Sequence, residues 1–184
     1  MLNRSLSAAL ATICLLLCIH VRGADDAPVP DLLKVPADCK ELCRVEARGV
    51  QIYESVDVGV GAVWMFEAPL ATLESIEEET KRARSFGWHF DGPTWAASDG
   101  SWVKKVDAKD AVVKAPAPNA ASDIPWLRIA IKSGEGKPGF LSKAVFVQRI
   151  NTKGGQVPAT SPPRAGIRAG VEYTATYVFF ERSK

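Results

Sequence analysis

Between Leu42 and Glu181 apolar and polar positions alternate in short runs, the period of strands with one buried face. The runs Cys43-Arg44-Val45-Glu46-Ala47, Val50-Gln51-Ile52-Tyr53-Glu54 and Val63-Trp64-Met65-Phe66-Glu67 are rich in β-branched and aromatic residues. Bounded by Gly49, Gly59-Val60-Gly61 and Pro69, they predict three strands. Further on, Leu127, Ile129 and Ile131 alternate with Arg128, Ala130 and Lys132, and Ala144 to Ile150 is more continuously apolar. In the last run, Val171 to Glu181, Tyr173, Ala175, Tyr177 and Phe179 share one face, while Thr174, Thr176, Val178 and Phe180 share the other. The proline-rich stretches Ala115 to Pro125 and Val157 to Gly170, with the turn Gly134 to Gly139, punctuate these strands.

One segment is ambiguous. Within Leu70 to Ser85, the i,i+4 pairs Glu77 with Lys81 and Glu78 with Arg82 support a short helix, but the flanking strands favour a hairpin with a solvated tip. Frequent short strands without a convincing long helix predict an all-β fold, a β-sandwich or partly closed antiparallel barrel in a single domain.

The stretch Phe86 to Val103 holds three of the five tryptophans, a Gly-Pro corner and an Asp-Gly turn. Trp95 to Ser98 and Ser101 to Val106 flank Asp99-Gly100, a dipeptide suited to a type I′ hairpin turn. The rings are expected to build the core at this corner, because large aromatic surfaces are costly to leave in water.

The 184-residue composition, 47% hydrophobic and 24% charged, is that of one globular domain, and the first residues alter how it is read. Arg4, an apolar run from Ala8 to Ile19 and then Val21-Arg22-Gly23 have the form of a secretory signal peptide cleaved near Gly23. The run is shorter than the ~20 residues of a membrane-spanning helix. An acylated Cys18 is the alternative, disfavoured by Leu17 where a small residue is expected. The expected organisation is therefore a signal peptide over 1–23, a flexible leader over 24–36 and one β-rich domain over 37–184, secreted or periplasmic.

Cleavage removes Arg4 and Arg22, two of 23 basic residues, and leaves a mature chain that balances its 21 acidic ones. Nothing in that balance favours nucleic acid. It also removes Cys14, Cys18 and His20, leaving Cys39, Cys43 and His89. Along a strand, Cys39 and Cys43 would be roughly 13 Å apart, too far for a bridge; across a helical turn they would be within reach. One buried and one exposed thiol, or a local disulfide, are both open.

The series GVQIY at Gly49 to Tyr53, WMFEAPLATL at Trp64 to Leu73, HFDGPTW at His89 to Trp95, DGSWV at Asp99 to Val103, IPWL at Ile124 to Leu127, VQRINTKGGQVP at Val147 to Pro158 and YTATYVFF at Tyr173 to Phe180 resembles the domain of unknown function family 3455. The resemblance runs from about Val35 to Glu181 and implies a β-rich extracytoplasmic domain, of the kind found in secreted bacterial and fungal proteins. It also implies a bridge between a cysteine just after Tyr53 and one in the loop after the GG-x-x-P motif. Here those places hold Glu54-Ser55 and Ala159-Thr160-Ser161, which puts the anchoring of the Val157 to Gly170 loop in doubt.

Gly59-Val60-Gly61-Ala62-Val63-Trp64 begins like a dinucleotide fingerprint but lacks the third glycine and the helix, so no nucleotide cofactor is expected. No metal is expected either: one histidine excludes a copper–zinc dismutase type of centre, and the alternative is a metal held by His89 with Asp91 or Asp99. His89, Asp99 and Ser101 suggest a hydrolase using His89 as acid and base, but Ser101 after an Asp-Gly turn is ordinary. The constellation His89, Trp95, Asp99, Arg149 and Thr152, with the Gly154-Gly155 amides, is the candidate ligand-binding site. A guanidinium fork and an indole face suit a small anionic or sugar-like ligand. The competing reading is an Arg149–Asp99 salt bridge locking the corner. A binding or structural module is favoured, with a small-molecule or carbohydrate partner, no nucleic acid and no membrane span.

Overall fold

The computed structural model describes residues 27–77, 80–136 and 138–183. The expected signal peptide, with Cys14, Cys18 and His20, lies outside them, as does Glu78. The described residues form nine strands: β1 Cys39–Asp57, β2 Ala62–Glu77, β3 Arg82–Phe90, β4 Thr94–Ala97, β5 Trp102–Lys105, β6 Val112–Ala115, β7 Trp126–Ser133, β8 Ala144–Gly154 and β9 Arg168–Arg182. They pair antiparallel in the order β5-β4-β3-β2-β1-β9-β8-β7-β6. β5 also pairs with β7, which closes the sheet in a ring, and β6 pairs with the other half of β7. The fold is all-β and a single domain, and the ambiguous 70–85 segment is the β2–β3 hairpin, not a helix.

Two expected strand breaks are not breaks. The runs on either side of Gly49 form one strand, because Gly49 marks a close approach: a Cβ there would lie 2.0 Å from the Leu70 carbonyl oxygen. β2 likewise passes through Pro69, which faces Gln51 of β1; β3 pairs with β2 only from Ala71 on, so on that side the missing amide meets an open edge. The Asp99-Gly100 turn is also not of type I′. Only Gly100 has a positive φ, +89°, and Ala97 N–H bonds the Ser101 carbonyl across a three-residue loop.

The inward alternation builds the main core from Val45 and Ala47 of β1, Leu73 of β2, Ile129 and Ile131 of β7, Val147 of β8 and Phe179 of β9. A second cluster covers the outside of the ring, where Leu33, Ala115, Ala117 and Trp126 pack on Ile150 and Val178. That places residues 27–36, expected as a leader, against the sheet: Leu33 is fully buried and its carbonyl accepts a 2.6 Å bond from Gln148 Nε2.

The tryptophan corner divides between the two faces. Trp95 is buried, whereas Trp88 is exposed and Trp102 sits on the outer face with its Nε1–H on the Glu135 carbonyl. Trp88, Ala96 and Trp102 stand opposite one another across β3, β4 and β5, so the strand period sends those two rings outward together. One indole, not three, belongs to the core.

Cys39 and Cys43 lie on the extended β1 and are free thiols. Cys43 packs against the main core, and burial pushes its thiol up to about 12.

Candidate functional site

The ring is filled at one end. The 3-10 turn Phe140–Lys143 inserts Leu141, fully buried, and Phe86, Phe140 and Phe179 meet with ring centroids 6.0 to 6.4 Å apart. Asp99 belongs here. Its Oδ2 accepts the Phe140 N–H at 2.7 Å, its Oδ1 accepts the Ser101 hydroxyl at 2.6 Å, and Ser101 in turn caps the Leu141 amide at 3.0 Å. Asp99 and Ser101 thus hold the turn that closes this end of the ring.

Toward the other end the interior opens into a cavity of about 500 Å³. Its floor is His89, Trp95 and Tyr177, its walls include Leu127 and Ile129, and Phe66 stands half-exposed at the mouth. Three of the five candidate residues, His89, Trp95 and Arg149, are brought together here. The other two are not. Thr152 lies on the outer face beside Trp126 and Thr176 and donates to the Ile124 carbonyl at 2.6 Å. The Gly154 amide, expected to face a ligand, donates to Asp123 Oδ1 at 2.8 Å.

Geometry dictates the state of His89. Its Nδ1 lies 2.8 Å from the Thr94 carbonyl, an acceptor only, so Nδ1 carries the proton. The imidazole stacks on Trp95 at 4.5 Å and 5° and meets Tyr177 edge-on at 5.1 Å. Burial dominates its titration, and the nearby Arg149 charge adds to it against the Thr94 bond, lowering the pKa to about 3. His89 is therefore neutral at pH 7, with Nε2 a lone-pair acceptor. No carboxylate or serine hydroxyl hydrogen-bonds the ring among the described residues.

Arg149 sits at an inward position of β8, opposite Leu127 on one side and Tyr177 on the other. Its Nη2 and Nε donate to the Pro125 carbonyl at 2.9 and 3.3 Å, which fixes the guanidinium beside the Tyr177 hydroxyl and does not use all five of its donors. The expected Arg149–Asp99 bridge is not formed, and among the described residues no carboxylate pairs with Arg149. Its charge favours ionisation of Tyr53, Tyr173 and Tyr177, but burial outweighs it and holds all three phenols above their ordinary range.

Other lining residues were not legible beforehand. Gln51 and Tyr53 come from β1, Lys105 from β5 and Lys114 from β6; with Arg149 they give a lining with three cations and no Asp or Glu. Of the buried donors without a hydrogen-bond partner among the described residues, Trp95 Nε1 belongs to this lining and Trp126 Nε1 to the outer cluster, while the Gln51 amide lies beside the Tyr173 hydroxyl. Such groups cost ~1–3 kcal/mol each when unsatisfied. Gln51 was the one readable sign, an amide at an inward position of an otherwise apolar alternation.

The model of the family described as protein of unknown function (DUF3455) matches residues 36–181. The chain belongs to the DUF3455 family. No curated protein and no solved structure matches it. The DUF3455 match spans all nine strands but for Arg182 at the end of β9, and includes every residue of the cavity lining. The loop that lacks the family's expected bridge is held differently here. Ser55, in the Glu54-Ser55 pair that stands where the resemblance puts a cysteine, is buried; its hydroxyl donates to the Arg164 carbonyl at 2.9 Å and accepts the Ile167 N–H at 3.0 Å. Among the described residues no group of three His, Cys, Asp or Glu side chains could hold a metal ion, and no helix is long and apolar enough to cross a membrane.

Proposed function

We propose that this DUF3455 protein is a binding module that takes a small organic anion into the open end of its ring. The observation that carries this reading is Arg149: a guanidinium set in a mostly apolar cavity, fixed by a main-chain carbonyl and given no carboxylate partner. A carboxylate on the ligand would supply the missing charge through bonds of about 1.5–3 kcal/mol. Leu127, Ile129, Phe66 and the stacked His89–Trp95 pair suit an apolar or ring-shaped body beside it. Because Nδ1 of His89 is tied to a main-chain carbonyl with no carboxylate behind it, the site favours holding a ligand over hydrolysing one.

Thermal-shift screening against small organic acids and sugars tests the reading. Acids are expected to raise the melting temperature of the wild type and not of Arg149→Gln; a broad panel without a hit contradicts it. Export belongs to the same proposal, motivated by the Arg4 to Gly23 pattern. The secreted protein should begin at Ala24 by mass spectrometry, and an intact Met1 on the secreted form would refute processing.

A further inference from the structure

We infer that the cavity is a two-point anion site, made for a molecule with two acidic groups separated by an apolar spacer; this rests on the binding reading above. The cavity has more positive charge than one carboxylate needs. In β6, Lys114 stands opposite Leu127, which stands opposite Arg149 of β8, so the two cations occupy one inward row on either side of a leucine. Two strand spacings separate their Cα atoms by roughly 9.5 Å. Lys105 reaches the same cavity from β5, where it shares the inward parity of the fully buried Val103, and its ammonium is anchored on the Val106 carbonyl at 3.1 Å.

Lysines at inward strand positions break the alternation that governs the rest of the ring. Among the described residues no carboxylate forms an ion pair with either of them. Arg149 is half-buried and Lys114 exposed, which grades the charge from floor to rim. One acidic group on Arg149 therefore directs the other toward Lys114 and Lys105, with Leu127 and Ile129 against the spacer.

Calorimetry with straight-chain dicarboxylates from malonate to suberate, monomethyl adipate and inorganic phosphate tests this. The expected result is an optimum at an intermediate chain length, at least tenfold tighter than the monoester. Lys105→Gln with Lys114→Gln should reduce that preference to within twofold, weakening the diacid far more than the monoester, and Arg149→Gln should weaken both. Equal affinity for diacid and monoester would overturn the two-point site and leave the single-anion reading standing. Phosphate binding as tightly as the best diacid would also overturn it, since a compact dianion needs only one centre. Binding of none of these probes would overturn both readings.

Discussion

The two ends of the ring are built from the same strands with the same inward alternation, yet one is filled and the other is hollow. Along β9 the inward residues run Phe179, Tyr177, Ala175, Tyr173, and along β8 they step from Val147 to Arg149. At the filled end each such position meets another apolar side chain, and the chain supplies Leu141 to stop the gap. One step along, the residues carry hydroxyls, an imidazole, an amide and three cations around space. Buried donors without partners occur in this lining, at Trp95 Nε1, and also in the outer cluster, at Trp126 Nε1, so the hollow end is distinguished by its unpaired charge and open space rather than by them. Close packing stabilises the fold at one end, and the other gives up some of that packing around a cavity, which the binding proposal above fills with a ligand.

The contrast makes predictions of decreasing size. Phe179→Ala at the filled end should cost about 3–5 kcal/mol in urea unfolding, whereas Arg149→Met should stay within about 1 kcal/mol. Equal losses would make Arg149 a structural cross-link and erase the distinction between the ends.

His89 should make the hollow end sensitive to acid. Its folded pKa, about 3, lies below the ordinary value near 6.5, so the unfolded chain takes up a proton that the folded chain refuses. The His89 contribution is therefore fully retained above pH 6.5 and lost as pH falls toward 3, about 1.4 kcal/mol per unit. In His89→Gln the stability-versus-pH curve should be flatter by that slope; parallel curves for the two proteins would contradict the buried neutral imidazole.

Ser55→Ala should cost about 1–3 kcal/mol, because it leaves the Ile167 amide without its buried acceptor, and should speed proteolysis within Val157 to Gly170. No change in either would mean that Ser55 does not anchor the loop. Smallest of all, Trp88→Ala on the outer face should change stability by no more than about 0.5 kcal/mol. A loss comparable to a core substitution would mean that the outer face is not simply solvent-facing.

Much of this was readable in the chain, and the reasons for the rest are specific. Period-two alternation from Leu127 to Ile131 and from Tyr173 to Phe179 gave the strands and their inward faces, because side-chain direction in a strand follows directly from parity. Gly49 and Pro69 were misread as breaks, since sequence does not distinguish a glycine required by a neighbouring backbone from one that ends a strand. The three tryptophans were grouped by proximity along the chain, but parity sends Trp88 and Trp102 outward and Trp95 inward. His89, Trp95 and Arg149 were grouped from their chemistry, and they line one cavity. Asp99 and Thr152 were added for the same reason and serve local backbone bonds instead. Lys105 and Lys114 were passed over because a lysine in a short strand is ordinarily solvated, and only the register between β5, β6 and β7 turns them toward the interior.

The most direct test of the hollow end is the set of indole Nε1–H resonances during titration with adipate. Trp95 lines the cavity, whereas Trp88 and Trp102 face outward, so each side of the sheet reports separately. The Trp95 resonance should shift saturably while those of Trp88 and Trp102 stay in place; an unmoved Trp95, or a response confined to the outer pair, would contradict a ligand inside the ring.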